Sequence, residues 1–261
     1  GSGPIGVEGA SALNMRGMKV TGIELLDRLL PVILDTSSAR IVADTLMEAG
    51  IEIRLGERVQ GIRGNDRVEA VITDKGEIPA DLVVLAAGIR PAVEVARKAG
   101  LEIGPTGGIV TDNYLRTGDP DIWACGDCIQ SFDILTGLPA LSMLWPNAIL
   151  QGRHAGINAA GGQKFYPGSS TAVTVNLFET FVFSFGATSR SDAGYTVREK
   201  TSRKGHIRVV AKEGRLVGVQ IVGDDSWAGI TSALTNPDIV AALKAKPSRE
   251  NILCRMPQMR R

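Results

Sequence analysis

The 261-residue chain is 44% hydrophobic, ample for one large or two small packed cores, and its 29 lysines and arginines against 28 aspartates and glutamates leave a net charge of +1. That balance supplies no long-range field for a nucleic acid or an anionic membrane, and both are set aside as partners. No apolar run approaches the ~20 residues of a membrane span and no leader pattern opens the chain. Three cysteines, Cys125, Cys128 and Cys254, are too few and too unevenly placed for a secreted disulfide framework, so the cytoplasm is the expected compartment.

The first eight residues, Gly1-Ser2-Gly3-Pro4-Ile5-Gly6-Val7-Glu8, read G-x-G-x-x-G-x-E and run into a helical pattern. In such a fingerprint Gly1 permits a tight turn, Gly3 lets backbone approach a pyrophosphate, and Gly6 lets the helix pack closely on a strand. Pro4 and Ile5 stand where the helix begins, and its open N–H groups and positive dipole end suit phosphates. Val7, Ala10 and Leu13 recur at helical spacing over residues 6–16, and Gly17 is the expected stop. Residues 18–25 read as a strand carrying Glu24, 18 positions beyond Gly6, where a carboxylate accepts hydrogen bonds from the adenosine ribose hydroxyls. Gly1, Gly3, Pro4, Ile5, Gly6, Glu8 and Glu24 are therefore the expected nucleotide contacts. A turn of this kind is fed by a strand, which would precede Gly1. The sequence is accordingly expected to be a fragment, a cleaved product, or a chain written without its beginning.

Asp35 or Ser37 opens a second helix, whose face is Ala39, Val42, Ala43 and Leu46 and whose end is marked by Gly50. A strand follows at residues 51–55. Residues 58–62 and 68–73 flank the turn Gly64-Asn65-Asp66, and Asp74-Lys75-Gly76 turns again, which predicts an antiparallel insert. Residues 82–87 are continuously apolar, as a strand covered on both faces is, and a strand is expected over 81–87. The pattern predicts an α/β, Rossmann-like dinucleotide-binding domain over residues 1–113. At the carboxyl end of that last strand, Gly88 either lets backbone approach a nicotinamide or simply ends the strand at a turn fixed by Pro91.

Thr117, Ile122, Ala124, Gly126 and Asp127 match T-x4-I-x-A-x-G-D. With the opening fingerprint, Glu24 and the Gly88 turn in the same order and spacing, the chain resembles the flavoprotein pyridine nucleotide-disulfide oxidoreductases. In that family the aspartate, here Asp127, holds the flavin's ribityl chain, and the glycine, here Gly126, allows close backbone approach. Cys125 and Cys128 form a C-x-x-C that invites a thiol-disulfide reading, set against a small buried residue at Cys125 and an incidental Cys128. Residues 147–160 read as a helix resembling the family's last flavin-domain helix, whose first N–H groups, those of Asn147 and Ala148, would face the flavin pyrimidine edge. Trp145 beside them reads as packing.

From Phe165 onward the pattern turns to strands, at 172–177, 180–185, 195–200, 206–211 and 216–222, with helical stretches at 225–234 and 239–244. This resembles the family's α+β dimerisation domain. The expected division is a nucleotide domain at 1–113, the last segment of an FAD domain at 114–163, and an interface domain at 164–261. His154 and His206 read as ordinary surface or helix residues with no metal spacing, and no catalytic histidine follows His206. Cys254 has no partner nearby.

The resemblance implies FAD and NAD(H) as cofactors, hydride transfer from NADH to the flavin, and delivery of electrons to a disulfide, oxygen or redox-protein acceptor by a homodimer. The absent C-terminal histidine points away from the glutathione reductase type. Glu24 favours NADH over NADPH, and Arg28 works against that preference. Pro4 stands where many relatives carry an aromatic gate. A second expectation is a non-catalytic nucleotide-binding or dimerising module, or a subunit completed by another chain.

Overall fold

The computed structural model describes residues 1–188, 194–203, 205–213 and 215–223. The helices expected at 225–234 and 239–244, and Cys254, lie outside these residues. The chain opens with α1 (Pro4–Met15), β1 (Thr21–Ile23), α2 (Thr36–Glu48) and β2 (Glu52–Arg54), and β1 and β2 pair in parallel. Proline at the start of α1 loses no helical hydrogen bond there. The expected insert is β3 (Val59–Gly64), β4 (Val68–Thr73) and β5 (Gly76–Pro79), an antiparallel sheet of three strands.

Residues 81–87 depart from expectation. They form no strand, and Leu82, Val84 and Leu85 are exposed, Leu85 at 74%. A strand exists only with a ladder partner, and among the described residues this segment has none. Its neighbour is the glycine turn itself: the Gly1 nitrogen donates to Ile23 O at 3.0 Å, and a Cβ on Gly1 would collide with the Ala86 carbonyl. Gly1 thus occupies the gap between the end of β1 and residues 86–87.

Beyond it come α3 (Glu94–Lys98), β6 (Ile109–Val110), β7 (Ile129–Phe132), β8 (Pro139–Ala140) and α4 (Trp145–Ala159). Because β6 pairs in parallel with β7, residues 109–110 join the sheet of the second unit. The chain then forms β9 (Val173–Leu177), β10 (Thr180–Gly186), β11 (Tyr195–Ser202), β12 (Gly205–Lys212) and β13 (Arg215–Gly223), in sheet order β11-β12-β13-β10-β9. All five strands lie where the alternation put them.

This sheet is the structural centre. Val175, Leu177, Val182 and Val222 pack on Val7 of α1, on Ala39, Val42 and Leu46 of α2, and on Leu29, Leu30 and Leu34 of the intervening loop. On the opposite face Phe183, Phe185, Ile207, Val219 and Ile221 enclose Ile134. Burial on both faces explains why β10 is buried at every position from Val182 to Phe185.

A polar contact closes the same junction. Asp35 caps α2, accepting from the Ser37 and Ser38 N–H groups at 3.1 Å each, and pairs with Arg208 of β12 at 3.2 Å. Glu199 of β11 also pairs with Arg208, and the Asp35 N–H donates to Gln220 Oε1 of β13 at 2.9 Å. Burial pushes the Asp35 carboxyl up, but hydrogen bonds from Ser37 and Ser38 more than offset it and hold it below the ordinary aspartate range. Its stabilising contribution is therefore complete above the unfolded pKa of ~3.9 and is lost as pH falls through the depressed folded value. We predict that Asp35→Ala lowers the unfolding free energy by about 2–4 kcal/mol near neutral pH, through the lost cap and the buried Arg208 left with one carboxylate. Urea unfolding of both proteins across acid pH checks it, and the gap between them should close as pH falls.

Candidate functional site

Two clusters gather most of the expected site residues. The first is the turn from Gly1 to Gly6. A Cβ on Gly6 would meet the Gly1 carbonyl, whereas one on Gly3 would meet nothing within 4 Å. Gly1 and Gly6 are thus required by the packing of the turn on itself and on Ala86, while Gly3 leaves its outer side open at the start of α1. An open backbone surface at a helix N-terminus, with no side chain in the way, fits a pyrophosphate. Ile5 is exposed on the first turn of α1. Glu8 lies on that helix but turns away from the opening: its Oε1 accepts the Asn176 N–H of β9 at 3.2 Å.

Glu24 stands directly after β1 and is nearly buried. Its Oε2 accepts the Ser2 N–H at 2.7 Å and the Ser2 hydroxyl at 2.8 Å, and its Oε1 accepts the Leu26 N–H at 2.9 Å. Burial raises the carboxyl's pKa, yet the bonds from Leu26 and Ser2 outweigh burial, so it lies below the ordinary glutamate range and is ionised at neutral pH. A carboxylate has about four acceptor sites, and with three filled one stays open to a hydroxyl donor. Arg28, expected to weaken any preference against a 2′-phosphate, is committed elsewhere. Its guanidinium bonds Asp27 at 3.0 Å, Pro31 O at 3.2 Å and Leu34 O at 3.4 Å.

The second cluster joins the Gly126-Asp127 turn to α4. Gly126 has φ +86°, a conformation that favours glycine, and its N–H donates to Gln151 Oε1 at 2.7 Å. Gln151 Nε2 donates to Ser169 Oγ at 3.1 Å and to Tyr166 OH at 3.4 Å, so a buried amide fixes the turn. Asp127 is exposed and takes no hydrogen bond from the described residues, which leaves its carboxylate free for a polyhydroxyl ligand. Gly88 has φ +98°, is exposed, and meets no neighbour within 4 Å of a would-be Cβ.

At the head of α4 the two expected N–H groups differ. That of Ala148 already donates to Leu144 O at 3.0 Å and is closed to a ligand, because the first helical turn claims it. That of Asn147 has no acceptor among the described residues, while its side chain is buried, donating to Ser170 O at 2.7 Å and to Ser142 Oγ. Trp145 does not pack: it is 78% exposed at the first position of α4.

The cysteines also reverse expectation. Cys125 is exposed, whereas Cys128 is the one that packs, beside Leu115 and Ile129, because the chain turns at Gly126 between them. Burial pushes the Cys128 thiol up, away from the thiolate that disulfide exchange requires, and neither sulfur is in a disulfide. Both histidines are buried, His154 on helix α4 as the sequence allowed and His206 on β12 rather than on the surface. His154 Nδ1 lies 2.8 Å from Leu150 O, and His206 Nδ1 lies 2.9 Å from Thr201 Oγ1. Among the described residues no group of His, Cys, Asp and Glu could hold a metal ion, and no helix is long and apolar enough to cross a membrane.

Sequence reasoning missed Ser2 and Gln151. Ser2 is an unconstrained position of the fingerprint, so the motif gives no signal for it. Gln151 had one: it lies four residues beyond Asn147 and so on the same face of the helix.

A glycine turn with an acid directly after β1, beside a separate Gly-Asp turn braced by a helix, defines an α/β protein built for two nucleotide ligands. The chain belongs to the pyridine nucleotide-disulphide oxidoreductase family, matched over residues 1–152. It is similar to the NADH oxidase of Methanocaldococcus jannaschii, 34% identical over 250 residues covering 90% of this chain and 56% of that protein. It is likewise similar to the CoA-dependent NAD(P)H sulfur oxidoreductase of Pyrococcus furiosus, 34% identical over 262 residues covering 92% and 59%. Among solved structures, an NAD-dependent persulfide reductase from A. fulgidus superposes with a TM-score of 0.85 at 33% identity, over 93% of this chain and 48% of that one. A FAD-dependent pyridine nucleotide-disulphide oxidoreductase from Desulfovibrio vulgaris gives 0.83 at 33%, over 95% and 64%. The chain thus spans little more than half the length of the curated relatives it matches. Membership implies FAD and NAD(H) as cofactors, and the open Gly3 backbone, the ionised Glu24 and the free Asp127 carboxylate fit them.

Gln151→Leu tests the brace on the Gly126-Asp127 turn. It strands the Gly126 N–H and removes a donor from Ser169, and is expected to lower the unfolding free energy by about 1–3 kcal/mol in urea titration. An unchanged midpoint would show that the turn holds without the amide.

Proposed function

We propose that this chain is part of a FAD-dependent NADH oxidoreductase, acting as a cytoplasmic homodimer joined through its C-terminal sheet. The observation that carries the reading is the coexistence in one chain of the Gly1–Gly6 turn with its buried acid Glu24 and the Gly126-Asp127 turn braced by Gln151. Gly1, Gly3, Pro4, Ile5 and Gly6 form the dinucleotide turn and Glu24 takes the ribose. Asp127, with Gly126, takes the ribityl chain, the Asn147 N–H faces the flavin, and Gly88 lies against the nicotinamide. Glu8 serves from behind by fixing α1 on β9. Hydride transfer from NADH to bound FAD, with the electrons passing on to an acceptor, is the chemistry the cofactors supply. The protein's part is to bind both nucleotides, orient them and exclude water. No side-chain acid is needed for the hydride step.

The acceptor is a disulfide, oxygen or a redox protein. Relatives named as NADH oxidase, CoA-dependent sulfur oxidoreductase and persulfide reductase span the first two classes. A neighbour solved in a covalent complex with putidaredoxin represents the third. Homodimerisation is supported by β11, an edge strand unpaired on its outer side among the described residues.

The test is a visible absorbance spectrum of the purified protein with its intact mass, repeated after adding FAD and then NADH. A flavin band that bleaches with NADH is the expected outcome. A colourless protein that binds NADH and takes up no FAD would overturn it in favour of a non-catalytic nucleotide-binding module.

A further inference from the structure

Three donors converge on the Glu24 carboxylate. Ser2 gives both its N–H and its hydroxyl to Oε2, and Leu26 gives its N–H to Oε1. The loop that carries Leu26 is itself held down. Leu30 N–H donates to Ser2 O at 3.0 Å, and the Leu30 side chain is buried in the core shared with the C-terminal sheet. Leu30 adopts φ +50°, a strained conformation for a leucine that persists only where surroundings impose it. Ser2 and the loop thus clamp the carboxylate from two sides.

Arg28, Arg54 and Lys75, near this end of the sheet, are engaged as well. Arg28 bonds Asp27 and the carbonyls of Pro31 and Leu34. Arg54 pairs with Glu52 at 2.8 Å and Glu57 at 3.6 Å, and Lys75 Nζ donates to Leu55 O at 3.2 Å. A 2′-phosphate needs several donors or a free cation. A free ribose hydroxyl needs one acceptor, and Glu24 Oε1 offers one.

We propose that Ser2 is a positioning residue for nucleotide choice: its two hydrogen bonds hold the Glu24 carboxylate in place, so that the ribose meets a fixed, ionised acceptor while the nearby Arg28 and Arg54 are engaged with other groups. The inference rests on the reading that Glu24 meets the adenosine ribose. It adds that selectivity for the unphosphorylated nucleotide is set in part by the residue between the first two glycines, acting through the acid.

Removing the hydroxyl has a direction that a general loosening lacks. Burial pushes the Glu24 carboxyl up, and Ser2 is among the groups opposing it. In Ser2→Ala the carboxyl therefore protonates at higher pH, and nucleotide affinity falls off sooner as the medium is acidified. Of the other charged groups on the elements packed round Glu24, Arg28 pairs with Asp27, Arg54 with Glu52 and Glu57, and Glu8 bonds β9, while Arg58 follows Glu57 in the chain. The Gly1 amino group bonds Ile23 O.

The experiment is calorimetric titration with ADP-ribose and with 2′-phospho-ADP-ribose over a range of acid to neutral pH, which needs no flavin and no turnover. Wild type should prefer ADP-ribose. Ser2→Ala should weaken ADP-ribose by about five- to tenfold, narrow the preference, and move the acid limb of binding to higher pH, with Ser2→Thr restoring the limb. Glu24→Ala is the companion. If it leaves the preference unchanged, the ribose assignment itself falls. If it abolishes the preference while Ser2→Ala leaves both the preference and the acid limb where they were, the ribose assignment stands and the role of Ser2 is overturned.

Discussion

The tight packing of the Gly1–Gly6 turn is the constraint on which the nucleotide end depends. Gly1 fills the gap between Ile23 and Ala86, and Gly6 lies against Gly1, so neither position has room for a side chain. Their closeness carries Ser2 under Glu24 and leaves the Gly3 backbone facing outward. A methyl group at Gly1 or Gly6 would separate α1 from residues 86–87 and shift the Ser2 donors together. The acid's position, its ionisation and the open phosphate cradle all follow from that close approach.

The C-terminal sheet also reaches the nucleotide end. Apolar side chains of α1, α2 and the loop between β1 and α2 are buried against β9, β10 and β13, and Asp35 joins α2 to Arg208 through a buried ion pair. Besides its antiparallel insert, the dinucleotide unit has only the short parallel pair β1 and β2 among the described residues, and it draws much of its core from a part of the chain more than 120 residues downstream.

Most of the architecture was legible because local pattern and tertiary environment agree. The strand runs beyond residue 170, with turn residues between them, located all five strands, and those packed on both faces, such as β10, read as continuous apolar runs. Asp35 and the glycine fingerprint announced helix starts through backbone chemistry that operates locally. Residues 82–87 failed for the complementary reason. An apolar run encodes burial in whatever surrounds it, and among the described residues nothing surrounds Leu82, Val84 and Leu85. Trp145 and Cys125 belong with them, as apolar or small residues whose expected cover is not found there. Ser2 and Gln151 were missed for another reason. Each acts through a hydrogen bond to a residue 22 or 25 positions away, which neither residue type announces, although the spacing of Gln151 from Asn147 does place both on one helix face.

The two ligand clusters are linked by a short, direct path. Asn147, at the head of α4, donates to Ser170 O, and six residues on, the Asn176 N–H of β9 donates to Glu8 of α1. Ser169, next to Ser170, also accepts from Gln151, which holds Gly126. A strand rises about 3.3 Å per residue, so this segment spans roughly 20 Å when extended. Its far end is bonded into β10 along the whole of β9. In the proposed reading, where α1 meets one nucleotide and the head of α4 the other, the two helices are tied through residues 170–176, of which 173–176 are paired with β10. Hydride transfer demands reacting atoms within about 3–3.5 Å. A segment bonded by side chains at both ends and paired over its second half resists the drift that such a tolerance forbids.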